Sequence, residues 1–495
     1  MPTTEQTFVS LSPADDATIA TYPLMSATHV TEIVDQARIA ASWWSDLSPR
    51  ERRSRLLQYT SLVINRADEL AELVHTENGK PLEDAYLEIV LTTSHMEWAA
   101  KNADKAMRRR SVRPSLLTLN QASAVEYQPV GVVGVIGPWN YPVFTPMGSI
   151  IYALATGNAV VYKPSEYTTA VGEWLMNAFA EVVPEQPVAQ LVTGSADTGA
   201  ALCRAGVDKI SFTGSTATGK KVMATCAESL TPVVMECGGK DAVLVDRDAD
   251  LNKAADLVAF GAFSNAGQTC AGVELVYAHQ DIYDEFLRLL VERTVPVQPG
   301  TASDAAYGPM TMPTQTDVVR RHIDSALQSG GEAAVGGPDS VGARVIDPVL
   351  LTGVPEDSES VREETFGPVV IVNRVRDLED AVDRVNGSSY GLGASIFSGS
   401  RKRMEHAAAR LQVGMVSMNS WLLYAGTPAL PWGGVKQSGF GRLHGIDGLR
   451  EFTRSKSTTR ERFPLPIALT SFSRLPQTTK IAVRVHQFLQ GRYGR

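Results

Sequence analysis

The sequence predicts an α/β protein of two successive units, each a mostly parallel sheet covered by helices. Short runs rich in valine and isoleucine recur along the chain, end at polar or glycine residues and are separated by helical stretches. Within the runs, apolar residues occupy consecutive rather than alternate positions, the pattern of strands buried on both faces. The length of 495 residues, with 44% hydrophobic and 20% charged side chains, is ordinary globular composition. At about 150 residues per domain it suggests roughly three structural units.

The opening MPTTEQTFVSLSPADD lacks a basic region followed by an apolar run, so no secretory signal is visible. From about Ala27 to Trp44 and from Glu51 to Lys101, apolar residues at helical spacing among charges read as exposed amphipathic helices. The stretch from Gly131 to Tyr162 holds no Asp, Glu, Lys or Arg. Pro138, Pro142 and Pro146 would break a membrane helix there, so it reads as buried strand, tight loop and buried helix. AVEYQPVGVVGVIGPW supplies the strand, through Val132, Val133, Val135 and Ile136; NAVVYKPS, VDKISFTG and DAVLVD repeat the pattern. A second series begins after about residue 240 with AGVELVYA, GPVVIVNRV and GASIFSG, which places a joint near Gly238 and Gly239.

From Glu451 to Arg495 the composition turns basic, with nine Lys or Arg against Glu451 and Glu461, and apolar residues interleaved. Such a tail can lie on an anionic membrane surface. Prolines at 464, 466 and 476 interrupt a long amphipathic helix, which favours a tail packed on the protein itself or on a partner subunit.

The chain as a whole carries 46 basic and 54 acidic side chains, a net charge of −8, which argues against nucleic acid as a partner. Four cysteines with no C-x-x-C pair argue against a disulfide scaffold and for a reducing, cytoplasmic setting. The eight histidines form no pair at ligand spacing, so no metal site is expected. Gly214–Lys221 nearly matches a phosphate-cradling P-loop but ends in Lys221 where a Mg²⁺-holding Ser or Thr belongs. A strand-to-helix glycine turn still suits a phosphate, so a nucleotide is retained and its hydrolysis is not. Gly387–Gly391 fits G-x-S-x-G, but a helical run precedes it and a strand follows, the reverse of a nucleophile elbow.

Three residues invite chemistry. Cys270 lies in FSNAGQTCAG, a small-residue loop able to present a thiol, whereas Cys203, Cys226 and Cys237 read as core fillers. Glu236, in VVMECGGKDAV, sits between an apolar strand end and a Gly-Gly turn: either a partly desolvated general base or a turn-capping or salt-bridged glutamate. Asn140, in GPWNYP, is either a rigid oxyanion donor or the closure of an Asx-turn.

Seven motifs in order, GPWNYP, VVYKPSE, FTGSTATGK, MECGGKDAV, GQTCAGVE, EETFGPVV and PWGGVKQSGFGR, resemble the NAD(P)-dependent aldehyde dehydrogenase superfamily from about residue 10 to about residue 460. Cys270 follows Glu236 by 34 residues, a separation typical of that family's base and nucleophile. The resemblance implies that Cys270 attacks an aldehyde carbonyl, that the Asn140 amide and the Cys270 N–H stabilise the oxyanion, and that Glu236 activates water to hydrolyse the thioester. The presence of Glu236 favours hydrolysis over transfer to coenzyme A. It further implies Trp139 beside the cofactor, Lys163 and Glu166 at the adenosine ribose, Gly214 and Ser215 at the pyrophosphate, and Glu364 and Phe366 at the nicotinamide ribose. A carboxylate at Glu166 would repel a 2′-phosphate and so favours NAD over NADP.

The implied architecture is a Rossmann-like cofactor domain (1–108 and 128–238), an α/β catalytic domain (239–440), a β arm (109–127 and 452–462) that pairs chains into a homodimer or homotetramer, and a C-terminal extension (463–495). Trp421, Leu423 and Tyr424 fall where the family shapes its aldehyde pocket, and their apolar character suggests an uncharged aldehyde. A catalytically idle NAD-binding relative is the alternative, against which intact Cys270, Glu236 and Asn140 argue.

Overall fold

A computed structural model describes residues 6–464 and 470–490. Two compact units emerge, one formed by the described residues up to Ala106 with Pro129–Arg454, the other by those of Met107–Gln128 and Ser455–Arg495.

The larger unit holds two large sheets. The first has the order β17-β9-β8-β5-β6-β7, from β5 (Val132–Ile136), β6 (Ala159–Lys163), β7 (Ala189–Leu191), β8 (Lys209–Gly214), β9 (Val233–Cys237) and β17 (Gly439–Phe440). All neighbours are parallel except β17 on β9. The chain winds from β5 to β6 and β7 on one side, then returns to β8 and β9 on the other. This reversal is the doubly wound, Rossmann-like arrangement, whose ligand crevice lies at the strand C-termini beside the switch point between β5 and β8. The register sets Ile136 against both Lys163 and Phe212, so the loops after β5, β6 and β8 leave the sheet side by side.

The second sheet runs β12-β13-β14-β11-β10-β15-β16, from β10 (Ala242–Val245), β11 (Leu275–His279), β12 (Glu332–Val335), β13 (Val349–Thr352), β14 (Val369–Val375), β15 (Gly393–Phe397) and β16 (Met415–Met418). Only β12 is antiparallel to its neighbour. Every residue of β10, β11 and β15 is buried, as their unbroken apolar runs require. Between β9 and β10 lie only Gly238–Asp241, so the C-terminal edge of the first sheet meets the N-terminal edge of the second. Against the 239–440 boundary read from sequence, β17 rejoins the first sheet, because Gly439 at φ 108° lets the chain turn back onto β9.

Helices α1 (Ala27–Asp46), α2 (Pro49–Asn65), α3 (Ala67–Asn78) and α4 (Leu82–Met107) precede β5. Ser48 and Glu51 form a capping box at the start of α2. The amphipathic pattern over 51–101 implies exposed charges, yet Glu77, Lys80, Glu88 and His95 are buried. They bond loops that only the folded chain brings near. The charge-free stretch becomes β5, a loop, α5 (Phe144–Ala155) and β6, and α5 is buried on all sides from Pro146 to Ala155. No helix among the described residues is long and apolar enough to cross a membrane. The remaining helices of the larger unit are α6 (Thr169–Val182), α7 (Ala196–Arg204), α8 (Thr216–Ala227), α9 (Leu251–Phe263), α10 (Tyr283–Thr294), α11 (Gln315–Gln328), α12 (Glu359–Arg362), α13 (Leu378–Gly387), α14 (Arg401–Arg410) and α15 (Gly445–Glu451). An N-terminal hairpin of β1 (Thr7–Leu11) and β2 (Thr18–Pro23) completes it.

In the smaller unit, β3 (Arg110–Val112), β4 (Gln121–Pro129) and β18 (Thr453–Glu461) form a three-stranded sheet with β4 central. Helix α16 (Pro476–Gln490) follows. Pro476 stands at its first position, where a missing N–H breaks nothing. Pro464 lies ahead of it, and Pro466 lies outside the described residues.

Candidate active site

The GPWNYP loop leaves β5 at the switch point and is fixed from three sides. Glu88 Oε1 accepts the N–H groups of Val143 (2.8 Å) and Phe144 (2.9 Å) where α5 begins. Lys80 pairs with Glu88 and donates to the Asn140 carbonyl at 3.1 Å, which also accepts from Asn265 Nδ2 at 3.0 Å. Asn78 Nδ2 donates to the Trp139 carbonyl at 2.9 Å. The Asn140 side chain donates to the carbonyl of Gln268 at 2.8 Å rather than closing a turn in its own loop. One amide N–H is thereby tied to the segment two residues before Cys270, which sets the plane of the other.

Cys270 is carried by a strained loop. Asn265, Ala266 and Gly267 in succession take positive φ of 51°, 55° and 68°. A Cβ at Gly267 would overlap the Gly367 carbonyl, so the thiol loop and the EETFG loop lock together only through glycine. Cys270 alone among the four cysteines is partly exposed; Cys203, Cys226 and Cys237 are buried fillers.

Glu236, the penultimate residue of β9, has its side chain buried. Trp432 Nε1 donates to Oε1 at 3.3 Å, and Oε2 has no hydrogen-bond partner among the described residues. Burial without a cation pushes its pKa up to about 7, offset in part by Trp432 and by the neighbouring Cys270 thiol. The salt-bridged glutamate foreseen as an alternative is therefore absent. Around Cys270, burial, then the charges of Glu236, Asp241 and Glu364, push the thiol well above its usual range. The resting group is a thiol with a carboxyl beside it.

The residues expected at a cofactor fall along the same edge. Gly214 ends β8, and Ser215 caps α8 by accepting from Thr218 N at 3.3 Å, leaving a helix N-terminus at the switch point. Lys163, at the end of β6, is buried, donates to the Pro164 carbonyl at 2.7 Å and lies 3.9 Å from the half-exposed Glu166. Burial holds its ammonium below the usual lysine range. Trp139 and Phe366 meet edge to face with centroids 5.5 Å apart. Glu364 Oε1 accepts from Gly239 N at 3.0 Å and lies so close over Gly238 that a Cβ there would displace its carboxyl. Burial, then the nearby Glu274, pushes its pKa well above the usual carboxyl range.

The sequence profile of the aldehyde dehydrogenase family matches residues 1–458. The chain belongs to the aldehyde dehydrogenase family. It is 37% identical over 462 residues to the 4,4'-diapolycopene aldehyde oxidase of a Methylomonas species, covering 92% of this chain and 87% of that protein. Among solved structures it resembles the NAD-dependent aldehyde dehydrogenase of Sinorhizobium meliloti (TM-score 0.89, 30% identity, 94% of this chain and 93% of that one). It also resembles the NADP-dependent glyceraldehyde-3-phosphate dehydrogenase of Bacillus halodurans C-125 complexed with NADP (TM-score 0.87, 30% identity, 92% and 96%). This aldehyde dehydrogenase is thus an α/β enzyme that oxidises aldehydes with a nicotinamide dinucleotide.

Several residues that hold the dehydrogenase's site together escape sequence reasoning. Glu274 accepts the N–H groups of Thr365 (2.8 Å) and Phe366 (2.9 Å), which fixes Phe366 at φ 50°. Lys240 neutralises Glu274 in a fully buried pair and donates to Thr365 Oγ1 at 3.1 Å. The signal for Glu274 is a lone charge inside the apolar CAGVELVYA; Lys240 stands beside Asp241 in GGKDAV and carries no such mark. Nothing in a helical pattern singles out Lys80 or Glu88. Of the presumed pocket residues, Trp421 donates to the Ala271 carbonyl at 3.2 Å and Tyr424 is buried, but Leu423 is exposed. No acidic, His or Cys cluster among the described residues suits a metal ion.

Proposed function

We propose that the enzyme oxidises an uncharged aldehyde to its acid through a covalent adduct on Cys270, with NAD the preferred cofactor. The observation that carries this reading is the trio at the sheet junction: the thiol of a partly exposed cysteine, a buried carboxyl with one oxygen unpartnered among the described residues, and an amide clamped to the thiol's own loop. Glu236, at about 7, takes the thiol proton as the sulfur attacks the carbonyl carbon. The Asn140 amide and the Cys270 N–H donate to the developing oxyanion. After that first proton passes to solvent, Glu236 removes a proton from the water that hydrolyses the thioester and returns it to the Cys270 sulfur, which leaves as the thiol.

The residues fit a nicotinamide dinucleotide. The α8 N-terminus at Gly214 and Ser215 suits a pyrophosphate, and the Trp139 and Phe366 rings, packed edge to face, suit the dinucleotide's rings. When bound, the dinucleotide supplies the two-electron acceptor. Lys163 and Glu166 would take the ribose hydroxyls, and the Glu166 carboxylate disfavours a 2′-phosphate; Glu364 would hold the second ribose. The four free cysteines suit a reducing cytoplasm. The three-stranded arm, with two edge strands, suits pairing of chains into a homodimer or homotetramer.

Steady-state and rapid-mixing assays with aliphatic and aromatic aldehydes test the reading. Cys270→Ala should abolish reduced-cofactor formation while leaving dinucleotide binding intact. Glu236→Gln should slow the first-turnover formation of reduced cofactor as well as steady-state turnover, the latter about 100-fold or more. Turnover by the alanine variant would remove the nucleophile, and a higher kcat/KM with NADP would reverse the cofactor preference.

A further inference from the structure

The end of the chain is charged oppositely to the whole. From Arg462 to Arg495 there are six Lys or Arg and no Asp or Glu, in a protein of net charge −8. Much of that segment is α16, none of whose residues is buried. At about 100° per residue, Ile481, Val485 and Leu489 share one stripe, with Lys480 and Arg484 along its border. The three apolar side chains are 54%, 41% and 46% exposed, and just before the helix Leu475 and Phe472 are more exposed still. The opposite flank, through Thr479, Val483 and His486, faces Leu117 of the same unit.

We propose that α16, with Phe472 and Leu475, docks this enzyme on anionic lipid bilayers, lying in the interface plane. A helix of 15 residues is about 22 Å long, too short to cross a bilayer core of about 30 Å. A basic, low-hydrophobicity amphipathic helix instead sinks its apolar stripe beneath the headgroups while lysine and arginine reach anionic phosphates. A second copy is the competing occupant. In a two-fold contact of α16 on α16, Lys480 and Arg484 would border a seam with no acid on either helix to pair them. Anionic lipid supplies that countercharge.

The test uses the full-length enzyme in flotation with phosphatidylcholine vesicles, with and without about one-third phosphatidylglycerol. Binding is expected only with the anionic lipid and should fall as salt rises. Ile481→Asp/Leu489→Asp should abolish it and leave oxidation of a water-soluble aldehyde unchanged. Each cation near the surface strengthens partitioning roughly fivefold, so Lys480→Gln/Arg484→Gln should weaken it about 25-fold. Equal binding to both vesicles, binding to neither, or undiminished binding by the aspartate variant would overturn the proposal. So would an aspartate variant that changes only the molecular mass in light scattering, which would assign the stripe to a second copy.

Discussion

Glu236 is a carboxyl kept inside the protein without a cation, and this governs both rate and stability. Its pKa near 7 means that below neutrality it is protonated and cannot accept the proton of a thiol or water, so kcat/KM should climb as pH rises through about 7. The stability consequence has the opposite sign. A carboxyl whose folded pKa lies above its unfolded value of about 4.5 binds its proton more tightly when folded. Its stabilising contribution is complete below about 4.5 and lost as pH rises through about 7. Glu236→Gln, which cannot ionise, should therefore match the wild type near pH 5 and exceed it at pH 8 by up to about 3 kcal/mol. Thermal midpoints at the two pH values measure this; a variant less stable at pH 8 would show that the carboxylate is better solvated than its burial implies. Cys270, Glu236 and Asn140 were legible because each sits in a motif of small or apolar residues. The surroundings of Glu236 were not, since the Trp432 that bonds Oε1 comes from beyond residue 430, and Oε2 is left without a hydrogen-bond partner among the described residues only by the folded packing.

Among the elements, strands were the easiest to read, since burial on both faces leaves unbroken apolar runs such as Val132–Ile136 and Ala242–Val245. The helices carried less information, because α3, α4 and the turn between them mix solvent-facing charges with buried ones and no pattern separates the two. Lys80 and Glu88 illustrate the difference: eight residues apart, both fully buried, they hold the α5 N-terminus and the Asn140 carbonyl in one network. Breaking a buried pair from one side strands a charge, at about 3–5 kcal/mol. Lys80→Met and Glu88→Gln should each lower the thermal midpoint strongly, and the double variant should lose less than their sum. Either single variant should also lower kcat, because the loop carrying Asn140 loses an anchor. Additive losses in the double variant would mean the two side chains act independently.

At the scale of the molecule, the arm is the part least explained by the chain alone. Its three strands are ordered β18-β4-β3, so the nine-residue β18 and the short β3 are both edges, and most of β18 is exposed. A long edge with unpaired backbone groups is a template for a further strand, and soluble proteins seldom leave one open without charge, bulge or cover. Along β18 run Arg454, Lys456, Arg460 and Glu461, so a second copy pairs here only in a register that keeps the three cations from facing one another. Pairing with another copy would satisfy the open N–H and C=O groups symmetrically. Ser457→Pro, at an exposed mid-strand position, removes one N–H and fixes φ without disturbing either large sheet. It should lower the mass measured by light scattering from a multiple of the chain to the single chain, with circular dichroism of the α/β core preserved. An unchanged mass would place the subunit contact away from β18, on the helical layers of the larger unit.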